Sequence, residues 1–276
     1  MRKRDPSGCQ SLDRGINILR RLAIEGSAGM RLIDIQRATG LTRPTVHRIL
    51  GALSRQGLVE QRFESRRYRV GQETNFINSD YGQWTERLRR LCKDSLTAAA
   101  AELGDTVILL ARSGNGTVCV DRASGANAEQ PLTVEVGTRR PLGAGAGGLA
   151  ILSAFDDAQA SKILQVLKPQ FENFPNASQR TLTIAIRAAR TQGYAFSDGY
   201  VRSNVRGVAV PIVNRDGTPI GALASAAVYD RLKPEDLPRV AGILGHHRAT
   251  IERLLSRSDG GLMDQPSLSS PELEMT

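Results

Sequence analysis

Five side chains between residues 43 and 55 have the types and spacing to read a nucleic-acid duplex: Arg43, Thr45, His47, Arg48 and Arg55. Guanidinium groups pair with guanine edges or phosphates, and hydroxyl and imidazole groups reach base edges in a major groove. These five remain outside when Val46, Ile49, Leu50 and Leu53, at i, i+3, i+4 and i+7, form one apolar stripe of a helix. Thr42 suits the N-cap, and Pro44 the first turn, where its missing N–H costs nothing. Gly57 can take the left-handed conformation that stops the helix, so the spacing predicts a helix over Thr42 to Gln56. A solvated charged face would look the same in isolation, so its neighbours decide the reading.

Other chemistry is sparser. Residues 143–148, Gly-Ala-Gly-Ala-Gly-Gly, fit the G-x-G-x-x-G dinucleotide fingerprint literally. That fingerprint needs a strand just before it and an acid about 20 residues on. Here Arg139-Arg140-Pro141 precedes it, and Asp156-Asp157 follows too early. The glycines are read instead as letting a helix N-terminus approach other backbone or a ligand, whose carboxylate the main-chain N–H groups could receive. His246 and His247 are adjacent rather than i, i+4, and Cys9, Cys92 and Cys119 match neither a disulfide framework nor a zinc spacing. There is no nucleophile elbow, and His47 has no acid-base partner in its neighbourhood. Asp105, Asp121, Asp198 and Asp216 read as turn or cap residues. No catalytic residue, metal or cofactor is expected.

The elements around the cationic helix fit a groove reader. Leu32, Ile35 and Ala38 are spaced for a short helix before it, with Gly40 at the turn and Leu41 packing into the corner. Ser11 is placed to cap a first helix running through Ile16, Leu19 and Ala23. Leu58 to Arg62 and Arg67 to Val70 read as two strands, with residues 63–66 as the hairpin tip. Arg62, Arg66, Arg67 and Arg69 would then lie along phosphates or in the minor groove as a wing. Residues 1–75 hold 15 Lys and Arg against 7 Asp and Glu, a surplus of eight, whereas the whole chain's surplus is nine. Phosphate neutralisation drives polyanion affinity, so this asymmetry is what a DNA-binding end requires.

The 276 residues suffice for two domains. The first residues carry no apolar segment of the signal-peptide kind, and no apolar run nears the ~18 residues of a membrane span. The chain therefore reads as cytoplasmic and away from membranes. Residues 1–10, with Arg2, Lys3 and Arg4, are expected as a flexible basic arm, 11–75 as a winged helix-turn-helix, and 76–103 as a linker and dimerisation helix. The linker pattern, Trp84, Leu88, Leu91, Leu96, Ala99 and Leu103, is helical from Tyr81. Beyond it come strands at Thr106–Ala111, Gly116–Asp121, Leu132–Val136, Val205–Val213 and Pro219–Val228, with turns at Gly114-Asn115 and Asp216-Gly217. Helices are predicted at Ala144–Ala154, Ala158–Leu167, Ser178–Gln192 and Pro234–Ser256. Hairpins with inserted helices predict an α+β domain around an antiparallel sheet over 104–256, with a disordered tail over 257–276.

The order of landmarks resembles the IclR-type bacterial transcriptional regulators over roughly residues 11 to 256. Those landmarks are Ser11-Leu-Asp-Arg-Gly-Ile-Asn-Ile-Leu, Gly40-Leu-Thr-Arg-Pro-Thr-Val-His-Arg-Ile-Leu and Gly57-Leu-Val, then Val136-Gly-Thr-Arg-Arg-Pro-Leu-Gly, Gly193-Tyr-Ala-Phe-Ser-Asp and Val205-Arg-Gly-Val-Ala-Val-Pro-Ile. The resemblance implies a winged helix-turn-helix joined by a helix to a GAF-like effector domain. It also implies a homodimer or dimer of dimers acting on an operator in double-stranded DNA under control of a small molecule. The implied effector residues are Gly145, Ala146, Gly147, Ser197, Gly207, Ala224, Ser225 and Ala226. Several depart from the family's commoner pattern: Gly207 replaces a frequent Cys, Ala224 and Ala226 replace hydroxyl residues, and Ser197 replaces an acid. Smaller and less polar walls predict a bulkier or more apolar ligand, such as an aromatic acid. The expected function is a ligand-responsive transcriptional regulator of a catabolic pathway. The alternatives are a small-molecule enzyme carrying a basic helical domain, or a DNA binder without ligand or sequence dependence.

Overall fold

A computed structural model describes residues 9–257 apart from 63, 72, 129–133 and 175. Of the arm expected over residues 1–10, residues 1–8 lie outside the described residues and Gln10 is already helical; of the tail expected over 257–276, Arg257 is still helical and the rest lies outside, as do the hairpin position 63 and strand positions 132–133. The chain divides into two compact units between Asp80 and Tyr81.

The first unit holds α1 (Gln10–Glu25), α2 (Leu32–Thr39), α3 (Arg43–Arg55), β1 (Val59–Gln61) and β2 (Tyr68–Val70). Ile18, Leu22, Ile35, Val46, Leu50, Val59 and Tyr68 form its core. The first helix corrects the sequence reading in two ways. Cys9, not Ser11, stands at the N-cap, and the buried stripe is Gly15, Ile18 and Leu22. Ile16 and Ala23 are exposed and Leu19 is half-buried. Both stripes have helical spacing; packing on α2 and α3 chose between them, which periodicity alone cannot do. Gly40 (φ 66°) and Gly57 (φ 67°) take the left-handed conformations that the turn and the helix stop require. The hairpin pairs Val59 with Val70, Glu60 with Arg69 and Gln61 with Tyr68. Its strands are shorter than expected, and a bridge from Met30 to Tyr68 ties it to the turn after α1.

α4 (Glu73–Leu103) is a 31-residue helix, eight residues longer at its start than the apolar pattern indicated. Asn75, Asn78, Ser79, Asp80 and Gly82 are poor helix formers and hid that first stretch. Trp84, Leu88, Leu96, Ala99 and Leu103 are buried as expected.

The second unit is built on one antiparallel sheet of β3 (Thr106–Ser113), β4 (Gly116–Ala123), β5 (Arg139–Pro141), β6 (Ala195–Asp198), β7 (Val205–Val213) and β8 (Pro219–Val228). The strand order is β5-β4-β3-β8-β7-β6. One face packs Val107, Leu109, Val118, Val120, Val208 and Leu223 against α4 and α8 (Leu237–Arg257). The other packs Ala195, Ala209, Ala222 and Ala224 against α5 (Ala146–Ser153) and α7 (Gln179–Gln192), with α6 (Asp157–Leu167) alongside. The rows of alanine on this second face leave room for α5 to lie close. A Cβ at Gly147 would come 2.1 Å from Leu110 Cδ1, and one at Gly148 would come 2.7 Å from the Gly143 amide nitrogen. Of the strand expected over Leu132–Val136, the described positions 134–136 are not in a strand, and the sheet's edge is β5, a three-residue strand ending in proline, a residue that sheets tolerate at an edge. β6 was not expected; at four residues within Gly193-Tyr-Ala-Phe-Ser-Asp it is too short to show alternation.

Candidate functional site

Two surfaces could carry function. On α3, successive residues turn by about 100°. Val46, Ile49 and Leu50 point inward, so the outward side is centred on Pro44, Gly51, Arg48 and Arg55, with His47 toward one flank. Arg43, His47, Arg48 and Arg55 are exposed. Gly51 stands in the middle of this face, and the Arg55 guanidinium lies beside it, with Nη1 3.7 Å from where a Cβ would stand. Thr45 is half-buried on the α1 side, and its Oγ1 lies 2.9 Å from Thr42 Oγ1. Thr42 occupies the N-cap position without a side-chain bond to the helix backbone, so the two hydroxyls satisfy each other.

The hairpin arginines divide. Arg62 and Arg66 are exposed, and Arg66 holds a left-handed φ of 51° at the tip. Arg67 is half-buried and donates from Nη1 to the Gly29 carbonyl at 2.8 Å, fastening the hairpin to the turn after α1. Arg69 is ion-paired across the strands with Glu60 at 2.8 Å. Arg67 and Arg69 thus hold the wing, while Arg62 and Arg66 project from it.

The second surface is a cavity of about 80 Å³ between the start of α5 and the sheet. That is several times the ~10–15 Å³ one water needs. All eight residues named from the sequence, Gly145, Ala146, Gly147, Ser197, Gly207, Ala224, Ser225 and Ala226, line it. The strand register explains how. Ser197 pairs with Gly207, and Gly207 with Ala226, so these three stand in one row facing the cavity. A Cβ at Gly207 would meet Ser197 Oγ at 3.1 Å and Ala146 Cβ at 3.2 Å. Ala224, two residues before Ala226, faces the same way.

Ser225 is a correction. It pairs with Val208 and Val107, both in the core beneath α4 and α8, and its hydroxyl donates to the Thr106 carbonyl at 3.2 Å. It therefore offers the cavity its main chain rather than its hydroxyl. Gly145 (φ 107°) stands at the N-cap of α5. The first amides of that helix have no intrahelical acceptor and carry the positive end of its dipole.

The sequence reading missed polar groups from the far edge and from a loop. Thr117, Thr138, Arg140, Arg202 and Arg206 also line the cavity. The guanidinium of Arg206 is turned away, over the Tyr229 ring at 4.2 Å, with Nη1 donating to the Leu232 carbonyl at 3.2 Å. Arg140 lies on the cavity face, and burial pushes its guanidinium below its ordinary pKa. The only advance signal for it was Arg139-Arg140-Pro141, which entered as a flank of the glycine motif and as part of a family landmark, with no ligand role given to Arg140.

Among the described residues no three or more His, Cys, Asp or Glu side chains gather to hold a metal. His247 is buried against Glu102, with 3.2 Å between Nε2 and Oε1. Burial pushes the Cys92 and Cys119 thiols up to about 12. No described helix is long and apolar enough to cross a membrane.

Comparison with known proteins matches both parts of the chain. Residues 11–62 match the IclR helix-turn-helix domain, and residues 85–253 match the bacterial transcriptional regulator IclR C-terminal domain. The chain is 27% identical over 229 residues to the HTH-type transcriptional regulator XynR of Escherichia coli (strain K12), covering 83% of this chain and 90% of that one. It is 29% identical over 225 residues to the glycerol operon regulatory protein of Streptomyces coelicolor, covering 81% and 86%. An IclR homolog from Microbacterium hydrocarbonoxydans, solved in complex with 4-hydroxybenzoate, superposes with a TM-score of 0.64 at 22% identity, covering 90% of this chain and 100% of that one. The two domain models match in order along the chain and together span most of it, and the chain belongs to the IclR family of bacterial transcriptional regulators.

Proposed function

We propose that this regulator binds its operator through α3 and the wing, and that a small organic acid with a bulky apolar body, such as an aromatic acid, controls that binding from the cavity. On this reading it governs a pathway that consumes the acid, acting as a dimer or dimer of dimers from the cytoplasm. The observation that carries the ligand class is the cavity wall. Ile108, Leu110, Ala224 and Ala226 make an apolar floor, Gly207 leaves room beside it, and polar groups at the cavity's ends, among them the first amides of α5, suit the oxygens of an organic acid. The complex of the Microbacterium homolog with 4-hydroxybenzoate is in keeping with such a ligand. On the DNA side, Arg43, His47, Arg48 and Arg55 would read the major groove, with Arg62 and Arg66 on phosphates.

Ligand control requires that the acid favour one arrangement of the protein over another, since tight but equal binding shifts nothing. Calorimetry on the full chain tests the class. Benzoate and 4-hydroxybenzoate should bind more tightly than glyoxylate or pyruvate. Tight binding of the two- and three-carbon acids without any of the aromatic ones would overturn it.

A further inference from the structure

The cavity has two chemically different sides. On the β7–β8 side, Gly207, Ala224 and Ala226 face it, and Ser197 alone among those paired positions brings a hydroxyl. On the β4–β5 side the register sets polar groups in a row. Arg112 pairs with Thr117, and Thr117 pairs with Arg140. Cross-strand partners share a face. Val118 and Val120 lie in the core under α4 and α8, so the neighbouring odd positions, and Arg140 with them, point the other way. Thr117, Thr138 and Arg140 accordingly line the cavity. Arg112, at the far end of the row, lies over the Phe155 ring at 4.7 Å, and its Nε donates to the Gly114 carbonyl at 3.2 Å. That position props the row from outside the cavity.

We propose that Arg140, flanked by Thr117, holds the carboxylate of the effector and so decides that the ligand is an anion. The apolar body then lies along Ile108, Leu110 and the β8 alanines, and Ser197 with the first amides of α5 meets any polar group at the other end. A guanidinium presents two parallel N–H groups to a carboxylate, a match a neutral amide cannot reproduce. Burial lowers the pKa of Arg140, yet a guanidinium stays charged at neutral pH, and its attraction for an anion is stronger in a site shielded from water.

This rests on the reading that an organic acid occupies the cavity, so the experiment separates the two. Full-length protein and the Arg140→Gln variant are titrated by calorimetry with benzoate, 4-hydroxybenzoate and the two corresponding amides. Wild type should prefer each acid over its amide by roughly 10- to 100-fold, the factor a charge-assisted pair supplies. Arg140→Gln should bring acid and amide to similar affinity, with the acids losing far more than the amides. Arg140→Lys should recover part of the preference. If Arg140→Gln does not fold, Thr117→Val serves instead, with a several-fold loss for the acids only. Retention of the full preference in Arg140→Gln, or in Thr117→Val when that variant stands in, overturns the assignment and leaves the aromatic-acid reading intact. Equal binding of acid and amide by wild type does the same. A wild type that binds none of the four compounds overturns both.

Discussion

Replacing Gly207 by alanine probes the cavity with the least collateral change. Gly207 lies in the interior of β7 and is not among the glycines with left-handed φ, so its backbone accepts alanine. The new methyl would sit 3.1 Å from Ser197 Oγ, 3.2 Å from Ala146 Cβ and 3.5 Å from the Ser225 carbonyl oxygen. The first two fall a few tenths of an ångström inside the ~3.5–4.0 Å optimum for non-bonded atoms; the Ser197 hydroxyl can rotate, and Ala146 must shift slightly. Crowding should therefore cost near the low end of the ~1–3 kcal/mol typical of overpacked cores. Loss of glycine's freedom in the unfolded chain returns ~0.4–1 kcal/mol. Thermal unfolding should shift by only a few degrees, whereas the methyl occupies space in a cavity of about 80 Å³. One methylene misplaced in an apolar pocket is worth ~1–3 kcal/mol, so benzoate affinity by calorimetry should fall roughly 10- to 200-fold, and acetate affinity much less. Unchanged benzoate affinity in a well-folded Gly207→Ala protein would mean that the ligand does not occupy the side of the cavity where Ser197, Gly207 and Ala226 align.

The other expectations are simpler to check. Gly148→Ala should yield little folded protein, because its Cβ would press on the Gly143 backbone; a soluble variant with wild-type melting would contradict the close seating of α5. Gly242→Ala on α8, where nothing lies within 4 Å, should stabilise by up to ~1 kcal/mol and raise the melting temperature by a few degrees. Thiol labelling near pH 8 should modify Cys9 alone in the native protein, and all three cysteines after denaturation. The thiols of Cys92 and Cys119 are pushed up to about 12 by burial, so both stay protonated, and rapid native labelling of either would show that its burial is wrong. Arg66→Ala should make the salt dependence of operator binding shallower by about 0.9 per protomer and weaken all sequences alike, whereas Arg48→Ala should relax discrimination at one base position. Equal effects of the two substitutions across altered operators would contradict the division between reading helix and wing.

What the sequence made legible followed from periodicity and turn chemistry. The stripe through Val46, Ile49 and Leu50, the glycines at 40 and 57, and the long β7 and β8 each carry their own local signal, and the structure has them where they were expected. α1 was harder, because both of its possible stripes have helical spacing and only tertiary packing selects Ile18 and Leu22. β5 and β6 are short edge strands whose existence depends on the partner beside them, so nothing local announces them. The cavity shows the same limit. Gly145, Ala146, Gly147, Ser197 and Gly207 were named through resemblance, and the sheet brings them together. Ser225 was named as an effector residue through resemblance, but a linear sequence does not say which face a strand residue takes until its register is known. Arg140 was overlooked for the converse reason, since it reaches the cavity only once the three-residue β5 pairs with β4.

The most direct test of ligand control is the operator affinity of the full-length protein, measured by fluorescence anisotropy at fixed salt on the DNA upstream of its own reading frame, without and then with saturating 4-hydroxybenzoate. Coupling between cavity and DNA-reading face should change the dissociation constant by ~5- to 150-fold, in either direction. A protein that binds both the acid and the operator, yet shows the same dissociation constant with and without the acid, would contradict the claim that the cavity governs DNA binding.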